Sequence, residues 1–70
     1  MVKVKSKLKD AIKRKGWDQK TLAAKADVRE ATISEMCRDN NKMFPREVMN
    51  RIANALDIDD IREIIDLEDE

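Results

Sequence analysis

Apolar residues recur along the chain in short groups with a helical period. Leu8, Ala11 and Ile12 form the first group, Leu22, Ala23 and Ala26 the second, and Ile33, Met36 and Cys37 the third. Val48, Ile52, Ala55 and Leu56 form a fourth, and Ile61, Ile64 and Ile65 a fifth. Intervals of three and four residues place each group on one stripe of an α-helix. The pattern predicts an all-α fold of five helices over 6–15, 19–26, 30–38, 46–56 and 60–66. Its most buried residues are expected to be Leu8, Ile12, Leu22, Ala23, Ala26, Val28, Ile33, Met36, Val48, Ile52, Leu56, Ile61 and Ile64. Only the first residues alternate instead: Val2 and Val4 interleave with Lys3 and Lys5, which reads as a short strand or a mobile basic arm.

The residues between the groups are helix punctuation. Ser6 is placed to cap the first helix, Lys13, Arg14 and Lys15 sit in its last turn where the macrodipole favours cations, and Gly16 ends it. Asp18 is a good N-cap for the second helix. The polar run from Arg38 to Phe44 reads as a loop, and Pro45 fixes a helix start. Asp57 and Ile58 turn the chain, and Asp60 with Glu63 stands at capping-box spacing for the last helix.

Between the second and third groups lie only Asp27, Val28 and Arg29. So short a joint suits two helices meeting near a right angle, as in a helix-turn-helix, a unit that can set its second helix in a DNA groove. The run Gln19, Leu22, Ala23, Ala26, Val28, Ala31-Thr32-Ile33-Ser34 resembles the Q-x-x-L-A-x-x-x-G-V-S-x-x-T-I-S pattern of the Cro/CI (Xre) family of helix-turn-helix repressors. The likeness extends upstream through Leu8, Ile12 and Gly16-Trp17, and downstream through Ile52-Ala53-Asn54-Ala55-Leu56. It implies a five-helix, lambda-repressor-like DNA-binding domain with the helix-turn-helix at helices 2 and 3. The chain departs from the pattern at Asp27, where the family usually has Gly, and at Arg29, where it usually has Ser. It departs again at Glu30 and Glu35, where polar or basic residues are commoner.

The candidate DNA-binding residues are Gln19, Lys20, Arg29, Glu30, Ala31, Thr32, Ser34, Glu35, Arg38, Asn40, Asn41 and Lys42. Gln19 falls in a helix first turn, where a side-chain amide among free backbone N–H groups can hold a phosphate. Ala31 and Thr32 can offer methyl groups to thymine, Ser34 can bond a base edge or phosphate, and Glu30 and Glu35 can accept from cytosine N4. Asn40, Asn41 and Lys42 can reach a duplex backbone from the loop. The resemblance also implies a homodimer on a palindromic operator, since one helix reads only about half a turn of duplex. The dimer could form through the Ile-rich last helix, with Ile61, Ile65 and Leu67, or by pairing of the Val2-Val4 segments.

Charge sharpens this picture. Net charge is +0, yet residues 1–25 carry nine Lys/Arg against two Asp/Glu and residues 47–70 carry two against nine. Such polarity suggests one end that tolerates a polyanion and one that repels it, although solvated faces alone can produce it. Lys13, Arg14 and Lys15 can serve the helix dipole, lie near phosphate, or both. Trp17, with Phe44 the only other aromatic ring, fits a lid over the first helices better than a base-stacking platform.

Other function classes find little support. A single domain of short helices offers little cleft for catalysis, so no catalytic residue and no cofactor is expected. With no His and one Cys, no transition-metal site is expected, and Cys37 has no partner for an internal disulfide. No apolar run approaches the length of a membrane span, so a cytoplasmic protein is expected. The reading that competes with a DNA-binding repressor is a protein-interaction module, antitoxin-like or anti-repressor, whose acidic third helix docks a protein partner.

Overall fold

A computed structural model describes residues 1–69. The elements run β1 (Val2–Ser6), α1 (Leu8–Lys15), α2 (Gln19–Ala26), α3 (Glu30–Cys37), α4 (Arg46–Leu56), a 3-10 turn (Ile61–Glu63) and β2 (Ile65–Asp69). The four α-helices follow the predicted groups, with no strand between residues 19 and 56. Their apolar stripes meet in one core of Leu8, Ala11, Ile12, Leu22, Ala23, Ala26, Ile33, Met36, Met49, Ile52, Leu56 and Ile64.

The helix ends obey the local signals. Gly16 takes the left-handed conformation, with φ 73°, and its N–H closes on the carbonyls of Ile12 and Lys13. Asp27 and Asp57 do the same at the ends of α2 and α4, with φ 55° and 57°. An aspartate accepts this region better than most residues with a Cβ. Ser6 serves α1 by a different route from the expected one. The helix begins at Leu8 rather than at residue 6, and the Ser6 hydroxyl accepts the Leu8 N–H at 3.3 Å from the end of β1.

The fifth helix does not form. Asp60 accepts from Arg62 N–H at 3.0 Å and holds the Arg62 guanidinium as well, with Nη2 to Oδ2 at 2.8 Å, so its carboxylate stays within one tight turn. Glu63 does not close the capping box: its carboxylate faces Arg14 Nη2 at 3.7 Å and its carbonyl accepts from the same nitrogen at 3.4 Å. After that turn the chain alternates as Ile65, Asp66, Leu67 and Glu68, which matches Val2, Lys3, Val4 and Lys5 in period and complements them in charge. The two segments pair antiparallel, with Val4 opposite Leu67 and Ser6 opposite Ile65. Lys5 Nζ reaches Glu68 Oε1 at 3.7 Å and Lys7 Nζ reaches Asp66 Oδ2 at 3.8 Å. The Lys7 N–H donates to the Ile64 carbonyl at 2.6 Å, which fastens the ribbon to the start of α1. Residues 2–5 are therefore a strand and not a free arm, and of the acidic tail that the sequence suggests over 67–70, residues 67–69 belong to the ladder while residue 70 lies outside the described residues.

Three core expectations change with this. Ile61 is 57% exposed because a 3-10 turn has no stripe to bury, whereas Ile64 is buried at 1%. In α4 the buried line is Met49, Ile52 and Leu56, and Val48 lies only partly inside. A small rotation of the stripe suffices, since Met49 and Ile52 are as well spaced as Val48 and Ile52. Val28 is half-buried against the core.

Candidate nucleic-acid interface

The joint between α2 and α3 is built from backbone bonds. Val28 N–H donates to the Ala23 carbonyl at 3.0 Å and Asp27 N–H to the Ala24 carbonyl at 3.4 Å, a Schellman-type ending that reverses the chain within one residue. Arg51 of α4 locks it from outside: its Nη1 donates to the Asp27 carbonyl at 2.8 Å, and its Nε to Glu47 Oε1 at 3.1 Å. The start of α2 is fixed by Asp18, whose Oδ1 accepts the Thr21 N–H at 2.7 Å. Hydrogen bonds from the Thr21 side chain and backbone hold the Asp18 carboxyl below the usual range.

These constraints aim α3. Ile33 and Met36 are buried, at 0% and 1% exposure, and opposite them Ala31, Glu35 and Arg38 stand in line at intervals of four and three residues, all exposed. Thr32 and Ser34 are half-buried on the flanks of that line, and Glu30 is exposed in the first turn. Arg29 occupies the N-cap position with φ −60° and ψ 137° but makes no side-chain cap. An arginine has no acceptor to offer the free N–H groups there.

Beyond Arg38, Asp39 turns left-handed at φ 58° and its Oδ1 accepts the Ser6 N–H at 2.9 Å, tying the loop to β1. The loop then folds back beside α3. Thr32, Glu35, Arg38, Asn40, Asn41 and Lys42 gather around an open hollow of about 590 Å³, floored by Met36. Asn41 Nδ2 donates to the Met43 carbonyl at 2.9 Å, while its Oδ1 is buried without a hydrogen-bond partner.

Gln19, the first residue of α2, is half-buried and lines a separate depression of about 210 Å³ with Lys9, Lys13, Trp17, Asp18 and Cys37. Lys20 projects from the same first turn into solvent. Lys9 carries no signal in the sequence beyond its four-residue spacing from Lys13, and only the assembled fold brings both lysines to Gln19. Burial pushes the Cys37 thiol up, opposed by the nearby Lys9 charge, which suits a packing role for that side chain. Trp17 is half-buried against the core, with Lys25 Nζ 5.2 Å and Lys15 Nζ 5.7 Å from its ring centroid, so cations already cover the indole.

The twelve candidate residues thus fall on one helix-turn-helix and its trailing loop, but not in one cavity. Six share the hollow beside α3, Gln19 sits with the lysines of α1, and Lys20, Arg29, Glu30, Ala31 and Ser34 lie between or beside these groups. A family model described as the Cro/C1-type HTH DNA-binding domain matches residues 7–70. The chain belongs to that family. The match covers all four helices of this Cro/C1-type domain and the C-terminal strand, and leaves β1 as the only element outside it. No curated protein and no solved structure matches the chain. Among the described residues, no group of His, Cys, Asp and Glu could hold a metal ion, and no helix is long and apolar enough to cross a membrane.

Proposed function

We propose that this Cro/C1-type domain is a sequence-specific transcriptional regulator, a repressor, that binds double-stranded DNA as a homodimer and acts without catalysis. In this reading α3 lies in the major groove of a palindromic operator and occludes a promoter. The observation that carries it is the exposed line Ala31, Glu35 and Arg38 on a helix whose opposite side is locked into the core. A helix so held offers side chains to base edges at fixed spacing. Ala31 and the Thr32 methyl suit thymine, Arg38 suits guanine or phosphate, and Glu30 and Glu35 suit the cytosine amino group. Ser34 bonds a base edge or phosphate from the flank. Gln19, Lys20, Lys9 and Lys13 on one side, and Arg29, Asn40, Asn41 and Lys42 on the other, supply phosphate donors that position the helix.

The acidic residues of α3 have a cost and a use. Two carboxylates near phosphates repel any duplex, and only a site with cytosine amino groups in the right places offsets that repulsion. The domain therefore trades non-specific affinity for discrimination.

Affinity for a duplex selected from a random pool, measured at two salt concentrations, tests the reading. Each phosphate neutralised lowers the slope of log K against log salt by about 0.9, so a handful of contacts gives a steep dependence. Binding that is undetectable at low salt would instead assign α3 to a protein partner.

A further inference from the structure

Asp39 is held from two sides. Its main chain ends α3: the Asp39 N–H donates to the Met36 carbonyl at 3.1 Å and the Asn40 N–H to the Glu35 carbonyl at 2.9 Å, a Schellman ending with Asp39 left-handed at φ 58°. Its side chain answers to another part of the molecule. Oδ1 accepts the Ser6 N–H at 2.9 Å, from a residue 33 positions earlier in the chain.

Ser6 can give that bond because of its place in the ladder. The Lys7 N–H donates to the Ile64 carbonyl, so by the alternation of an antiparallel pair Lys5 and Lys7 turn their N–H groups to β2, and Ser6 between them turns its own to the open edge. The bond to Asp39 takes nothing from the ribbon. Among the described residues, the other hydrogen bonds of residues 38–44 stay within the loop or run back to α3. Phe44 packs on the core at the far end of the loop, so the tether at Asp39 fixes the near end of the course that Asn40, Asn41 and Lys42 take along the hollow beside α3.

We propose that Asp39 is a positioning residue for DNA binding, through which the β1–β2 ribbon holds the loop after α3 where Asn40, Asn41 and Lys42 meet the phosphate backbone. The proposal rests on the DNA reading above and adds to it a control from outside the helix-turn-helix, since β1 lies beyond the residues that the family model matches. The other left-handed aspartates show that the turn alone does not call for such a bond. Asp57 ends α4 with no side-chain partner among the described residues, and Asp27 turns its carboxylate to Arg51. Charge gives the tether a second effect. An exposed carboxylate on a loop that faces a duplex repels it, and the Ser6 N–H draws this one towards the ribbon instead.

A double-mutant cycle on the full chain tests this. Asp39→Asn and Asp39→Gly both accept the left-handed turn and both remove one negative charge, but only asparagine keeps an acceptor. Ser6→Pro and Ser6→Ala form the matching pair on β1: both lose the hydroxyl, and only proline loses the N–H, at an outward position that an edge strand tolerates. Asp39→Gly should bind the selected duplex about fivefold more weakly than Asp39→Asn, and Ser6→Pro about fivefold more weakly than Ser6→Ala, the effect of losing one exposed bond to a carboxylate. Combining Asp39→Gly with Ser6→Pro should cost no more than either alone. The salt slope should become shallower by about 0.9 for each loop phosphate contact released, which a general loss of stability would not produce. Amide exchange at Ser6, read by NMR without DNA, should speed roughly threefold or more in Asp39→Gly and stay near wild type in Asp39→Asn. With wild type binding duplex, equal affinities for Asp39→Gly and Asp39→Asn, additive losses in the double variant, or unchanged Ser6 exchange overturns this proposal alone. A wild type that binds no duplex overturns the DNA reading together with it.

Discussion

Arg51 of α4 donates to the main-chain carbonyl of Asp27 at 2.8 Å, and so one side chain from outside the helix-turn-helix holds the angle between its two helices. The guanidinium also lies 3.5 Å from Asp27 Oδ2, but that carboxylate is 96% exposed, so the carbonyl bond carries most of the effect. It places a cation at the C-terminus of α2, where the macrodipole favours it. Arg51→Met is expected to cost about 1 kcal/mol, a charged hydrogen bond discounted for its exposure. In a domain of this size that lowers the melting temperature by roughly 4–8 °C. A thermal melt of the variant against wild type measures it, with Glu47→Gln, which removes only a helix-surface ion pair, as the smaller reference.

Arg29 stands at the N-cap of α3 without a side-chain cap, so the first turn of that helix is closed only by the Arg29 carbonyl, which accepts from the Thr32 and Ile33 N–H groups at 3.1 and 3.2 Å. Arg29→Ser is expected to stabilise the domain by roughly 0.5–1 kcal/mol, since a serine hydroxyl satisfies one of the free N–H groups. On the proposed DNA reading the same change removes a phosphate donor, so stability should rise while duplex affinity falls. A urea titration and a binding isotherm on one preparation separate the two effects. If stability does not move, the N–H groups at that end already have partners in water.

Asp60 is held at about 2, first by the side-chain hydrogen bonds of Arg62 and then by the Arg62 N–H. Its folded value lies below the ordinary aspartate value of 3.8, so the stabilisation is fully present above that value and is lost as pH falls through about 2. Asp18, also lowered, contributes in the same direction. Melts taken from about pH 5 downward should therefore show wild type losing stability on acidification, and Asp60→Asn losing less of it because the variant has already given up that share. Parallel curves for the two proteins would mean that the turn at Ile61–Glu63 holds without the ionised carboxylate.

Glu30 and Glu35 make opposite demands on specific and non-specific DNA. Glu30→Gln is expected to relax discrimination at one or two base pairs, by about 1–3 kcal/mol per lost contact, while raising affinity for random duplex. Gln19→Ala should weaken all sequences about equally, because a phosphate contact carries no base information. Lys9→Ala should resemble Gln19→Ala if the depression shared by the two residues receives a phosphate. Competition binding with selected and scrambled duplexes reads all three. A Glu30→Gln protein that leaves both affinities unchanged would take α3 out of the groove and point it to a protein.

The four α-helices and the helix-turn-helix were legible in the sequence because every signal for them is local. Leu22, Ala23 and Ala26 lie within one turn or so of each other, Asp18 and Gly16 act on adjacent residues, and Asp27 with Val28 reverses the chain by bonds to Ala23 and Ala24. The placement of the outward residues of α3 followed from Ile33 and Met36 pointing in. Residues 60–69 were different, since Asp60, Glu63 and three isoleucines satisfy the rules for a helix as well as those for a turn and a strand. What decided between them was Val2–Ser6 at the far end of the chain, whose backbone needed a partner and whose alternation of valine and lysine matched that of Ile65, Asp66, Leu67 and Glu68. Arg51 on Asp27 and Lys9 beside Gln19 were likewise set only by how α4 and α1 pack. Local chemistry fixes an element when its bonds close within a few residues, but a strand takes its hydrogen bonds from elsewhere, so only the assembled fold could say where they came from.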